Sequence, residues 1–456
     1  SLAAEQGDFS LLVNGEPVAF TDAAPVLKDG RSFLPVATTF QALGFAQEDI
    51  VWNEETQSVT ASKDGTTISL TVGDSAVTWT GPSWSQTSED GTSGSAGGSG
   101  GIAYLDAAPY IDPATNRTYI PVGLVADILG CRVAWDGATS TVIIDDVDAI
   151  LAENTETYER MDQYLDYARK YSQGNYQVEG SYLLTSAPGE MESGAEIIHT
   201  VGGGYSMVTN QTAMQFAMDM SIGGTIMGAP IAPTDMNLDM RADLDTGMLY
   251  LYFQSEDLEQ LMNNNVQVNG ESVEFQIPDQ WYSLDMKAVY DEAYGPGFYE
   301  ELIALSTASQ EAAFAQTLEE LLKSDTLILT STATTSDYLE ALNQLLGDSH
   351  FQKSGSTYTS TLEQDGVTIL FHLYTSGGQV NGYGMEMTAS ETTGMEMTMT
   401  MEMKGDDMSL LLEMAGMTME MDGTYRPSST APETEPPAGA TVVDLWELLT
   451  TPVSEL

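Results

Sequence analysis

Met395-Glu396-Met397-Thr398-Met399-Thr400-Met401-Glu402-Met403 alternates apolar and polar side chains without a break. Successive side chains of a β-strand point to opposite faces. The spacing therefore predicts a strand with five thioethers on one side and Glu396, Thr398, Thr400 and Glu402 on the other. Met218 and Met220 repeat the arrangement around Asp219. Methionines crowd the chain from Met385 to Met421, which predicts a continuous wall built by several strands rather than local metal loops.

Outward from this stretch, period-2 runs predict strands over 176–185, 195–201, 204–209, 213–222, 236–244, 248–253 and 281–286. Gly202-Gly203-Gly204 reads as a plain turn between two of them. A second series covers 357–364, 367–374, 382–390, 408–414 and 417–421. Helical spacing marks 154–172, with Thr155 as N-cap and Gly174 as stop, then 298–323 and 338–346. Meander, helical block, meander is the layout of an α+β fold: a large curved antiparallel sheet with helices over one face. A Pro/Thr/Glu-rich linker at 426–437 leads to a short helix candidate at 442–449. Domain boundaries are expected near residues 150 and 425, leaving 426–456 as a tail.

Strands reading x-Met-Asp-Met-x around Asp219, Met248-Leu249-Tyr250-Leu251-Tyr252 and Trp281-Tyr282-Ser283-Leu284-Asp285-Met286 resemble the lipoprotein-carrier superfamily of LolA-like and LppX-like proteins. The resemblance spans about 154–425. It implies a half-barrel whose concave side holds acyl chains.

The first third contains an internal echo. Arg31-Ser32-Phe33-Leu34-Pro35-Val36, a short helix candidate, Gly44 and Val51-Trp52-Asn53 are matched by Arg117-Thr118-Tyr119-Ile120-Pro121-Val122, a second helix candidate, Gly130 and Val133-Ala134-Trp135-Asp136. Pro35 and Pro121 stand 86 residues apart, as do Gly44 and Gly130. Each Pro closes a strand where a missing N–H is tolerated, and each Gly suits a left-handed helix stop. Between the copies, Lys63-Asp64-Gly65 is a hairpin signal. The doubled pattern resembles the stalk domain at the N terminus of some copper amine oxidases, over about residues 9–146. That resemblance implies a small antiparallel sheet wrapped on helices, without catalytic residues or copper chemistry, in proteins exported by Gram-positive bacteria. The Ser/Gly-rich stretch 83–101 reads as a flexible loop inserted in it.

With 68 acidic and 14 basic residues the formal net charge is −54. Nucleic acid binding needs Lys and Arg to displace phosphate counterions, so it is excluded as a partner class, and charge-driven docking on an anionic membrane is disfavoured. The chain has no run of 18 apolar residues, hence no membrane-spanning helix is expected. Cys131 is the one cysteine, so no internal disulfide and no Cys-based zinc site can form. The start, Ser1-Leu2-Ala3-Ala4-Glu5, has the look of a mature terminus. Asp243-Leu244-Asp245-Thr246-Gly247 resembles the opening of a calcium loop, but its twelfth position is Gln254 rather than a bidentate Glu.

Of the three histidines, His199 and His372 fall in strand-like runs and His350 after a helix. No Gly-x-Ser-x-Gly elbow, His-Glu-x-x-His or phosphate loop accompanies them, so no catalytic residue is named. The methionine stripe itself has three readings: ordinary core, an adaptable apolar groove, or a soft site for Cu(I). The expectation is a non-catalytic, exported cell-surface protein without cofactor or metal. Its stalk meets cell-wall or envelope components and displays a domain that holds a lipid or other hydrophobic ligand. Met218, Met220, Met397, Met399 and Met401 are the expected wall, with Trp281 and Tyr282 as an aromatic rim. A purely structural or adhesive surface protein and a carbohydrate-active hydrolase are the alternatives.

Overall fold

The computed structural model describes residues 7–81, 100–124, 128–265, 267–272, 274–307, 312–390, 394 and 396–450. Met395 and nearly all of the expected 83–101 loop lie outside them. Helix makes up 22% and strand 46%, with the two gathered in separate blocks of sequence, which is an α+β fold. The chain forms two compact units: Ser1–Thr155 with Glu319–Ala341, and Glu156–Leu318 with Leu342–Leu456.

In the amino-terminal unit the two copies of the echoed motif pair with each other. Arg31–Pro35 lies antiparallel to Arg117–Pro121, with Leu34 opposite Ile120, Pro35 opposite Tyr119 and Phe33 opposite Pro121. Each copy thus meets the other at equivalent positions. Val36–Ala42 is helical after the first Pro, and Gly44 and Gly130 both take positive φ after their turns, at 90° and 68°. Asp64 and Gly65 take positive φ and close the hairpin of Ser58–Lys63 with Thr66–Thr71, as the local sequence requires. One pairing departs from the expected antiparallel plan: Ser10–Val13 runs parallel to Thr141–Asp145. Leu34, Phe40, Ile68, Ile120, Leu124 and Ile144 are fully enclosed in one core. Each such side chain contributes about 1.5–3 kcal/mol by leaving water.

Residues 319–341 complete this unit from far along the sequence. Arg132 donates to the carbonyls of Leu322 and Leu327, Asp136 accepts from the N–H and hydroxyl of Ser331, and buried Asp145 accepts from the Thr335 N–H at 2.9 Å. Leu322 and Leu329 are buried there.

The second unit is built on a 16-stranded half-barrel sheet. From one edge the main strands run Gln352–Ser354, Thr357–Gln364, Val367–Ser376, Gln379–Ala389, Met397–Lys404, Asp407–Met414 and Met417–Pro427. The order then continues through Tyr176–Thr185, Glu196–Thr209, Ala213–Ile226, Thr234–Asp243, Met248–Gln254, Trp281–Asp285 and Val442–Asp444. Neighbours are antiparallel except the last pair, which is parallel. The two meanders join where Tyr176–Thr185 pairs with Met417–Pro427 over ten residues.

Four local expectations are corrected. Glu196–Thr209 is one strand running through Gly202-Gly203-Gly204, not two strands and a turn. A Cβ on Gly203 would sit 2.0 Å from the Asp219 carbonyl oxygen, so the glycines permit close strand approach. The helix expected at 154–172 is Glu159–Ala168 followed by a 3-10 turn, Arg169–Ser172. Its cap is not Thr155 but Asp348, whose carboxylate accepts the N–H groups of Glu159 and Arg160. The helical run expected at 298–323 is two helices, Phe298–Thr307 and Phe314–Lys323. In the tail, Val442–Asp444 is an edge strand and only Leu445–Thr450 is helical, with Asp444 accepting from the Trp446 N–H. The β-branched Val442-Val443 pair suits a strand better than a first helical turn.

Candidate functional site: the methionine face

Strand register decides which side chains share a face. Met385 stands opposite Met401, which stands opposite Leu410, then Met421, then Tyr182. One row along, Met387, Met399, Leu412, Met419, Leu184, Val201 and Ile222 follow one another across seven strands. A third row reads Tyr383, Met403, Met408, Gly423, Gly180, Tyr205, Met218, Leu238, Phe253. Met397, opposite Met414, and Met220, opposite Met236, fall in the same phase. Met218, Met220, Met397, Met399 and Met401 therefore lie on one face of one sheet. Glu386, Thr398, Thr400, Glu402, Glu413, Glu420 and Asp422 take the other phase.

The face is apolar but not sealed. Met403, 6% exposed, is the only described strand methionine in the buried core, while Met218, Met220, Met397, Met399 and Met401 are half-buried. The helix Glu159–Ala168 covers one part of it, where Tyr164 packs edge-on against Phe371 and Tyr383. Burial raises the Tyr164 phenol well above its ordinary range. At the join of the meanders Tyr205 stands opposite Gly180, and its hydroxyl donates to the Asp422 carbonyl at 2.7 Å. A Cβ on Gly423 would fall 2.3 Å from that hydroxyl oxygen.

The expected aromatic rim is split. Trp281 and Tyr282 are neighbours in one strand and so face opposite ways. Tyr282 pairs with Leu251 in the methionine phase. Trp281, 5% exposed, packs on Tyr252 at 5.2 Å with the Arg241 guanidinium over its ring at 4.9 Å. Arg241 in turn pairs with Glu433 at 2.8 Å, so the tail is held to the polar face.

The polar face carries two further groupings. His372 sits between the Thr359 hydroxyl at 2.8 Å and the Glu386 carboxylate at 2.7 Å, which satisfies both ring nitrogens. Beside it the Tyr374 hydroxyl donates to Glu402 at 2.7 Å. A hollow of ≈ 390 Å³ is lined by Glu179, Asp219 and Asp239. Desolvation raises the Asp239 carboxyl, against the lowering pull of Arg241. The Asp243–Gly247 stretch is a hairpin turn in which the Asp243 carboxylate accepts the Asp245 N–H at 2.9 Å. Among the described residues no group of three or more His, Cys, Asp or Glu side chains is placed to hold a metal ion. Cys131 is buried, and desolvation first, then neighbouring carboxylates, push its thiol up to about 12.

Periodicity exposed the methionine phase, because alternation survives any register. It could not expose the Tyr205 hydroxyl reaching Asp422 beside Gly423, since that contact joins strands far apart in sequence.

No curated protein matches the chain. Among solved structures it is similar to a β-barrel-like protein with a domain of unknown function from Brucella abortus, at 10% identity and a TM-score of 0.20, over 56% of this chain and 98% of that one. It is similar also to holo-PhuS, a heme-binding protein from Pseudomonas aeruginosa, at 10% identity and a TM-score of 0.08, over 58% and 85% of the two chains. Residues 12–144, the echoed motif and the strands between its copies, match the copper amine oxidase N-terminal domain, a non-catalytic module.

Proposed function

We propose that the second unit binds a lipid or another flexible hydrophobic ligand on its methionine face, and that the non-catalytic amino-terminal module displays it at the cell envelope. The observation that carries this reading is a single-phase apolar face, spread over strands from both meanders, on which Met218, Met220, Met397, Met399 and Met401 stay half-buried. Unbranched thioethers suit a wall that must accept variable shapes. The LolA-like resemblance of the strand sequences points the same way, and envelope display rests on the likeness of residues 12–144 to a stalk module. Among the described residues no helix is long and apolar enough to cross a membrane.

The test is native mass spectrometry and solvent extraction of the full chain, with titration by a fluorescent fatty acid. Co-purifying lipid and saturable binding are expected. Met401→Glu places a charge on the wall and should weaken binding at least tenfold, about 1.4 kcal/mol, whereas Thr400→Glu on the opposite phase should leave it within twofold. Lipid-free protein that fails to bind the fatty acid would show the face to be structural packing.

A further inference from the structure

Most described lysines and arginines of this acidic chain are neutralised by a carboxylate: Arg31 by Asp106, Lys170 by Asp406, Arg241 by Glu433, Lys287 by Glu300. Arg160 and Lys353 form no such ion pair among the described residues. They flank the same side chain instead. The Arg160 guanidinium lies 3.8 Å from the centre of the Tyr358 ring, and the Lys353 ammonium 5.6 Å from it. The Arg160 Nε is buried and has no hydrogen-bond partner. Asp348, the carboxylate that acts on Arg160, is committed to the helix cap through the N–H groups of Glu159 and Arg160 and the Thr157 hydroxyl.

Both cations open onto a hollow of ≈ 550 Å³. Its remaining lining is uncharged and rich in donors, including Gln163, Ser356 and Ser376. With 68 acidic residues in the chain, a concavity lined by two cations and no carboxylate is a marked exception. The local potential also shows on Tyr358. Desolvation pushes its phenol up, but hydrogen bonding and charge from Arg160, then Lys353, bring it below the ordinary value. The distant carboxylates are screened over roughly 8–10 Å in physiological salt, so the nearby cations dominate inside the hollow.

We propose that Arg160 and Lys353 form an oxyanion site that takes a phosphate ester. The planar guanidinium offers paired donors to phosphate oxygens, Lys353 adds a mobile point charge, and the hydroxyl and amide groups serve the body that carries the phosphate. Two sources present that chemistry, a soluble phosphate ester and a phospholipid headgroup. The site lies at the outer end of the Tyr383 row, since Lys353 stands opposite Tyr358, Tyr358 opposite Leu373 and Leu373 opposite Tyr383, but its lining holds no methionine and its test does not require acyl binding.

The experiment is calorimetric titration of the full chain with inorganic phosphate and with glycerol 3-phosphate, alongside sedimentation with vesicles of phosphatidic acid or of phosphatidylcholine alone. Saturable binding of glycerol 3-phosphate identifies a soluble ester as ligand. Binding only to phosphatidic acid vesicles identifies a headgroup. In either case Arg160→Gln and Lys353→Gln should each weaken binding about tenfold or more, the scale of a lost charge-assisted hydrogen bond. Lys170→Gln, a cation outside the hollow, should change it less than twofold. Lys353→Gln alters an exposed side chain, so it reports even if Arg160→Gln destabilises the fold. Absence of binding to every probe, or binding unchanged in Lys353→Gln, overturns the proposal.

Discussion

Asp136 shows how one side chain records a long-range contact. The Ser331 N–H and then its hydroxyl lower the carboxyl to about 2 from 3.8. A carboxylate whose folded pKa is depressed adds stability that is complete above its unfolded pKa and is lost as pH falls toward the folded one. The gap in urea midpoint between the native chain and Asp136→Asn should therefore be full above about pH 5 and close between about pH 4 and pH 2. A gap that does not change with pH would mean the Ser331 contact is not held in solution. At this scale the methionine phase was readable, since Met397, Met399 and Met401 alternate with Thr398 and Thr400 whatever strand lies beside them. Trp281 was not. The Arg241 guanidinium over its ring pairs with a tail residue, Glu433, that no local pattern connects to it.

Whole strands were legible where alternation was clean, and Tyr176–Thr185 and Thr357–Gln364 begin and end where their periodicity does. Helix starts were less so, because a cap can come from anywhere. Asp348 accepts two N–H groups at the first turn of Glu159–Ala168 across nearly 190 residues of sequence. Asp348→Ala should cost about 1–2 kcal/mol, the range of a lost N-cap, and speed amide exchange in the first turn of that helix. Thr155→Ala should change neither, because the helix does not begin there. An equal loss for both variants would return the cap to Thr155. The triple glycine misled for a different reason: glycines mark turns and also places where two backbones approach closely, and only the neighbouring strand distinguishes them.

At the scale of the molecule, the doubled motif was enough by itself to mark out the amino-terminal module, because two copies that pair with each other must share their spacing. The return of residues 319–341 to that unit had no local signature. Leu322 and Leu329 read as ordinary apolar positions of a helical block. The parallel pairing of Ser10–Val13 with Thr141–Asp145 also has a mechanical consequence. Before its return at residues 319–341, the chain enters the module on one of these strands and leaves it on the other. Tension along the polypeptide therefore slides the two past each other and loads every rung of their ladder at once. Pulled instead from Arg132 and Asp145, which face each other across an antiparallel pair, the same module would peel open bond by bond. Single-molecule stretching from handles at residues 10 and 145 should need much larger rupture forces than from 132 and 145; equal forces would exclude such a clamp.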